Sequence, residues 1–83
     1  MKTIVTTQTA QKQLQKLQNK DRRAIMQKIE VLRTRPEALQ NNIKKLQGSS
    51  YYRLRVGNYR VIFDEDGTII TIIEVGHRRE IYR

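Results

Sequence analysis

Several residue types are absent from the 83-residue sequence or nearly so, and each absence narrows what the protein can be. Without cysteine there is no disulfide scaffold, no thiol nucleophile and no cysteine-ligated metal. A single histidine, His77, makes a histidine metal site unexpected as well. No apolar run approaches the roughly 18–20 residues that cross a membrane, and the N-terminus MKTIVTTQTA lacks a signal-peptide core. We therefore expect a cytoplasmic protein of one small domain, residues 1–83, without a metal.

Acidic residues are also scarce: 8 Asp and Glu stand against 17 Lys and Arg, for a net charge of +9. Such an excess on a small domain favours a polyanion or an acidic protein as partner. All seven lysines lie at or before Lys45, and the second half of the chain uses arginine instead. Because the planar arginine fork grips phosphate through two parallel hydrogen bonds, the second half carries the better candidates for binding phosphate.

The first half of the sequence predicts one strand followed by two helices. Residues 2–6 form a short β-branched run that is typical of a strand. Residues that can face a core then recur at helical spacing in two segments: Thr9, Ala10, Leu14 and Leu17 in the first, and in the second Ile25, Met26, Ile29 and Leu32, which we expect to be buried. Asp21 is the expected N-cap of the second helix, and Pro36 ends it because the residue before a proline avoids helical geometry. Ile43 and Leu46 are expected to anchor the connection to the strands.

From Tyr51 onward the hydrophobic period is two, which is typical of strands. Gly57-Asn58 separates YYRLRV from YRVIF, and glycine at the first central position predicts a type II′ hairpin turn. A second turn at residues 65–67 leads into the strand TIITIIEV. The order β-α-α-β-β-β predicts an α+β domain with two helices packed on a small antiparallel sheet. The first strand joins this sheet at an edge or in its centre.

The hairpin register predicts how side chains divide between the two faces of the sheet. A two-residue turn pairs Arg55 with Arg60, so Arg53, Arg55 and Arg60 share one face, with Asp64 at its margin. The other face is apolar and is expected to meet the helices; it carries Tyr52, Leu54, Val56, Tyr59, Val61 and Phe63. A solvated surface accounts for any single arginine, but three on one face indicate an anion site.

The C-terminal segment VGHRREIYR adds further polar side chains. His77 carries the only imidazole, the group most used for proton transfer near neutral pH, although a lone histidine is more often structural. Tyr82 is equally compatible with a core aromatic whose hydroxyl reaches the surface. Taken together, Arg78, His77 and Tyr82 can bind phosphate and move protons.

These residues resemble a known family. KKLQGSSYYRLRVGNYRVIF, residues 44–63, followed by VGHRREIYR, residues 75–83, is similar to the RelE/ParE superfamily of bacterial and archaeal type II toxins. The N-terminal half agrees only in the order and length of its elements. The resemblance implies a microbial RNase-like RelE fold and, for RelE-like members, cleavage of mRNA in the ribosomal A site. That reaction uses the 2′-OH of the substrate as nucleophile and needs neither a metal nor another cofactor.

The resemblance also implies roles for individual residues. The catalytic arginine of the family's YR motif falls on Arg60, and the arginine and tyrosine of its C-terminal motif fall on Arg78 and Tyr82. His77 occupies a basic position beside them and is a second candidate for proton transfer. The residues expected to bind RNA are Arg53, Arg55, Lys44, Lys45, Arg79 and Arg83.

The resemblance leaves more than one function open. The first is a ribosome-dependent mRNA endonuclease whose partners are the ribosome, mRNA and a cognate antitoxin. The second is a ParE-like inhibitor of DNA gyrase, and the third is an RNA-binding relative with weak catalysis. The full set Arg60, Arg78 and Tyr82 favours the nuclease, although arginine in place of lysine on the strands supplies charge but no base.

Overall fold

The computed structural model describes residues 1–81 and shows helices packed on a five-stranded mixed sheet. In chain order the elements are β1 (Thr3–Thr6), α1 (Gln8–Gln15), α2 (Asn19–Thr34), a 3₁₀ helix (Pro36–Asn42), β2 (Ile43–Lys45), β3 (Tyr52–Val56), β4 (Tyr59–Asp66), β5 (Ile69–His77) and α3 (Arg78–Ile81). The strands lie in the order β1-β5-β4-β3-β2. None of the helices within residues 1–81 is long and apolar enough to span a bilayer.

The predicted α+β class is confirmed, but the sheet is mixed where an antiparallel sheet was predicted, because β1 joins at an edge, beside β5 and parallel to it. The β3–β4 and β4–β5 pairs are antiparallel as expected, and β2, which was not predicted as a strand, pairs antiparallel with β3. The connection after α2 also forms structure of its own. Its 3₁₀ helix buries Leu39, and Ile43 opens the short strand β2 and packs against the core.

The two main helices begin and end for local reasons. Thr7 is the N-cap of α1, and its hydroxyl accepts a hydrogen bond from the Ala10 N–H at 3.1 Å. The prediction of Asp21 as an N-cap is wrong, because α2 already begins at Asn19. Asp21 lies in the first turn, where its charge complements the positive end of the helix dipole. α2 ends at Thr34, as the proline at position 36 predicts.

The core lies between α1, α2 and one face of the sheet. Ile25, Ile29 and Leu32 form the buried stripe of α2, spaced four and three residues apart. The expected burial of Met26 is wrong, since its side chain is 48% exposed. One residue along a helix is a rotation of about 100°, which carries position 26 away from that stripe.

The hairpin between β3 and β4 forms in the predicted register. Val56 pairs with Tyr59 and Arg55 with Arg60, which leaves Gly57 and Asn58 as the turn. Gly57 has a φ of 58°, and no non-glycine residue among those described has a positive φ, as a type II′ turn requires. The second turn is shifted from its prediction: Asp66 pairs with Ile69, so its central residues are 67 and 68.

A β-bulge between β4 and β5 decides which side chains face which way near the end of the sheet. Phe63 pairs with Ile72 but Ile62 pairs with Glu74, so Ile73 is the extra residue. Because of this extra residue, the alternation of faces along β5 shifts by one position. Val75 is then buried in the core, and Glu74 lies on the opposite face of the sheet.

Candidate nucleic-acid interface

The face of the sheet that points away from the helices carries the predicted arginines. We call it the arginine face and define it by Lys44, Arg53, Arg55 and Arg60. Lys44 pairs with Arg53, and Arg55 pairs with Arg60, so the four cations occupy neighbouring positions on β2, β3 and β4. Lys44 and Arg55 are exposed, whereas Arg53 and Arg60 are half-buried. The structure therefore brings these four predicted RNA-binding and catalytic residues together on one surface.

Two positions on the arginine face carry no polar side chain, Ile62 on β4 and Gly76 on β5. Ile62 lies between Arg53 and Glu74 in the register and is only 5% exposed, although it is outside the main core. Long charged side chains can cover an apolar residue in this way while their charged ends stay in water. Gly76 pairs with Arg60 and contributes no side chain of its own. A Cβ at Gly76 would lie 3.2 Å from the Ile81 side chain, so α3 packs against β5 at this point.

Arg60 is held by the hairpin turn itself. Its Nη1 donates to the carbonyl oxygens of Gly57 and Tyr59, each at 2.9 Å. Its buried Nε has no hydrogen-bond partner within residues 1–81. The two carbonyl contacts of Nη1 therefore fix the guanidinium of Arg60 against the backbone of the turn.

Within residues 1–81, no carboxylate forms an ion pair with Arg55 or Arg60; the ion pairs there include Lys2 with Glu65 at 2.8 Å and Glu30 with Arg33 at 2.5 Å. Glu74 on the arginine face was not foreseen from the sequence. The bulge places it there, and strict alternation from the buried Ile72 would instead have assigned it to the core side.

Arg78 is the first residue of α3 and is exposed. Its backbone N–H donates to the Asn58 carbonyl at 2.8 Å, so α3 begins at the same end of the sheet as the hairpin turn. Arg55 and Arg60 flank that turn, and the structure therefore brings the start of α3 to their end of the arginine face. Arg79 follows in α3 and is exposed. The predicted site residues Tyr82 and Arg83 lie outside the described residues.

His77 lies on the other side of the sheet. It pairs with Tyr59, and the two rings meet edge to face with centroids 5.6 Å apart and an interplanar angle of 78°. Its Nδ1 accepts a hydrogen bond from the Arg79 N–H at 3.2 Å, which caps the first turn of α3. The structure thus places His77 and Arg60 on opposite faces of the sheet, although the resemblance made both of them candidates for catalysis.

Tyr59 links the hairpin to α2 beside His77. Its hydroxyl donates to Oδ2 of Asp21 at 3.1 Å. Burial raises the pKa of Tyr59 above its ordinary value, and the hydrogen bond to Asp21 and the charges of Asp21 and Glu80 raise it further. Tyr59 therefore remains protonated near neutral pH and serves as a hydrogen-bond donor.

The other aromatic and basic positions near the hairpin divide between the faces. Tyr52 stacks on Phe63 with ring centroids 5.4 Å apart and packs against the core, whereas Tyr51 is exposed. Lys45 pairs with Tyr52 and so occupies the helix-facing side of the edge strand, although it is exposed. Within residues 1–81 no three His, Asp or Glu side chains gather as a metal site requires.

Comparison with known proteins places the chain in a family. The family model described as "ParE toxin of type II toxin-antitoxin system, parDE" matches residues 4–82. Toxin RelE3 of Methanocaldococcus jannaschii is 47% identical over 45 residues, which is 53% of this chain and about half, 51%, of that toxin.

Solved structures agree with that assignment. A chain of the RelB–RelE antitoxin–toxin complex from Methanococcus jannaschii is 32% identical, with a TM-score of 0.72 and 94% of each chain covered. A chain of the archaeal RelE–RelB complex from Pyrococcus horikoshii OT3 is 25% identical, with a TM-score of 0.78 and coverage of 93% and 94%. The chain therefore belongs to the ParE toxin family of type II toxin–antitoxin systems and, within the RelE/ParE superfamily, is a RelE-like toxin.

Proposed function

We propose that this toxin is a ribosome-dependent endoribonuclease that cleaves mRNA in the cytoplasm, with residues 1–83 acting as one toxin domain. The observation that carries the proposal is the arginine face. Arg53, Arg55 and Arg60 converge there, and Arg78 starts its helix at the same end of the sheet. Several guanidinium groups on one surface can form paired hydrogen bonds with the phosphates of an RNA backbone.

The proposed reaction is attack of a 2′-oxygen on the adjacent phosphorus. The 2′-OH loses its proton, a P–O2′ bond forms and the P–O5′ bond breaks, and the leaving 5′-oxygen takes up a proton. Negative charge accumulates on the phosphoryl oxygens in the transition state. We assign its stabilisation to Arg60 and Arg78, where one fixed donor is typically worth about 2.7–4 kcal/mol. Arg53, Arg55 and Lys44 bind the backbone on either side, and the reaction needs no metal or other cofactor.

The proton-transfer role goes to Tyr82 ahead of His77. His77 faces Tyr59 on the helix side, and its Nδ1 is engaged by the Arg79 N–H, so the ring does not share a surface with Arg60. Tyr82 is assigned the role from the family motif alone. Arg79, Lys45 and Arg83 are proposed to add RNA contacts at the margins.

A cognate antitoxin is the second proposed partner. The structural relatives include RelE–RelB toxin–antitoxin complexes, which supports a partner of the same kind for this chain. With a net charge of +9, an acidic or amphipathic antitoxin segment fits best. When the antitoxin segment is titrated into the toxin, its affinity should fall as the salt concentration rises. An affinity that does not change with salt would contradict the proposal that the segment neutralises the basic surface.

Gyrase inhibition remains the second candidate function because the family model that matches the chain is that of ParE toxins. Expression of the chain in a translating extract, followed by mapping of mRNA 5′ ends, separates the two. The nuclease predicts new cuts within codons that disappear in Arg60→Ala and Tyr82→Phe but persist in His77→Ala. Intact mRNA together with gyrase-dependent DNA damage would reject it, and loss of cuts in His77→Ala alone would move the proton transfer to His77.

A further inference from the structure

Within residues 1–81, no strand pairs with the last residues of β5 on the β1 side, and side chains of Thr7, the N-cap of α1, and of Gln13 in α1 bond to that edge instead. β1 pairs with β5 only as far as Ile72. Beyond it, the Thr7 hydroxyl donates to the Ile73 carbonyl at 3.0 Å, and Oε1 of Gln13 accepts from the Val75 N–H at 2.6 Å. Both bonds are partly buried. We call Thr7 and Gln13 the α1 clamp.

The two members of the clamp act on different parts of β5. Thr7 bonds to Ile73, the extra residue of the bulge, and also caps α1, so its role is tied to the fold. Gln13 acts beyond the bulge, where Val75 lies three residues before Arg78. On the other side of the same segment, the Asn58 carbonyl holds the Arg78 N–H at 2.8 Å. The stretch from Val75 to Arg78 is therefore fixed from both sides.

We propose that Gln13 is a positioning residue for RNA cleavage: by holding Val75, it sets where the end of β5 delivers Arg78 to the arginine face. The inference rests on the proposed function, because that function gives Arg78 its role at the reacting phosphate. Without the acceptor, the partly buried Val75 N–H loses its partner, and the strand must shift to reach water. A displacement of about 1 Å at a reacting group can cost on the order of 100-fold in rate.

Three substitutions on α1 test this role. Gln13→Met keeps the length of the side chain and removes the acceptor, whereas Gln13→Glu keeps an acceptor oxygen at the same place. Gln11→Met is the matched control. The Nε2 of Gln11 donates to the carbonyl of Thr6, the last residue of β1, at 3.1 Å. Gln11→Met therefore also removes a hydrogen bond between α1 and the sheet, but one that does not involve the part of β5 beyond the bulge.

The expected results separate positioning from stability. In Gln13→Met, the Val75 amide should exchange with solvent roughly 10- to 100-fold faster, and single-turnover cleavage on programmed ribosomes should slow by a similar factor at unchanged ribosome affinity. In Gln13→Glu and in Gln11→Met, both the exchange rate of the Val75 amide and the cleavage rate should stay at their wild-type values. When Arg78 is already alanine, Gln13→Met should cause no further loss of cleavage.

Several outcomes would overturn the inference. Unchanged Val75 exchange in Gln13→Met would remove its structural basis, whatever the activity. A loss of cleavage in Gln13→Met that is fully explained by a smaller fraction of folded protein would show a purely structural role. The same conclusion would follow if Gln13→Met reduced cleavage as much in the Arg78→Ala background as in the wild type. If the wild-type chain cuts no mRNA, the proposed function fails and the catalytic part of this inference fails with it. The exchange measurement still decides separately whether Gln13 holds Val75.

Discussion

Removal of the Tyr59 hydroxyl is expected to destabilise the fold without impairing cleavage. The hydroxyl donates to the Asp21 carboxylate at 3.1 Å in a partly buried setting, between the hairpin and α2. Hydrogen bonds to charged groups are worth about 1.5–3 kcal/mol, and partial exposure lowers this to roughly 1–2 kcal/mol here. Tyr59→Phe should therefore lower Tm by about 5–10 °C in a domain of this size.

A double-mutant cycle with Asp21→Ala isolates the bond from the effect of the Asp21 charge on its helix. Urea unfolding of the wild type, both single variants and the double variant should give a coupling energy of about 1–2 kcal/mol. Additive single effects would refute the reasoning, because they would mean that the two side chains do not interact. Cleavage at the wild-type rate is also expected, since Tyr59 lies on the helix-facing side of the sheet.

The same hydrogen bond has a pH signature. The folded-state pKa of Tyr59 is raised above its unfolded value of about 10, mainly by burial and then by Asp21. Its stabilising contribution is therefore complete below pH 10 and is lost as pH rises through the folded-state pKa. The stability difference between the wild type and Tyr59→Phe should shrink from pH 9 to pH 11. A constant difference across that range would contradict the assigned cause.

Four further substitutions probe the fold. Gly57→Ala should cost about 1–2 kcal/mol in urea unfolding, because its φ is 58°; apart from its chain neighbours, no atom of the described residues lies within 4 Å of the added Cβ, so the cost comes from the backbone conformation and not from a clash. Ile29→Ala should cost about 2–5 kcal/mol, whereas Met26→Ala on the same helix should change stability by less than about 0.5 kcal/mol, since Ile29 is 4% and Met26 48% exposed. Arg33 lowers the pKa of Glu30, so Glu30→Gln should lower Tm at pH 7, and the difference from the wild type should disappear as the pH falls through the folded-state pKa of that carboxyl.

The hairpin could be predicted from sequence because its turn chemistry is local. Gly57-Asn58 admits a two-residue turn, and a two-residue turn fixes the whole register. That register alone places Arg53, Arg55 and Arg60 on one face, as the structure shows. The central feature of the candidate interface was thus available from the sequence.

The position of His77 could not be predicted in the same way. Its face depends on the bulge at Ile73, which is a relation between two strands and has no signature in the sequence of β5 alone. Gln13 was missed for a related reason, because its partner Val75 is 62 residues away. The strand β2 is only three residues long, too short for a period-two pattern to distinguish it from a connection.

The rate of mRNA cleavage by Arg60→Ala tests the central claim most directly. Arg23→Ala is its matched control, because it removes the same charge from an exposed position on α2. If Arg60 stabilises the reacting phosphate, single-turnover cleavage on programmed ribosomes should fall by about 100- to 1000-fold in Arg60→Ala, with 2′,3′-cyclic phosphate ends wherever cutting persists. Arg23→Ala should cut within a few-fold of the wild type. Equal rates for the wild type and Arg60→Ala, or equal losses in both variants, would contradict a catalytic arginine face.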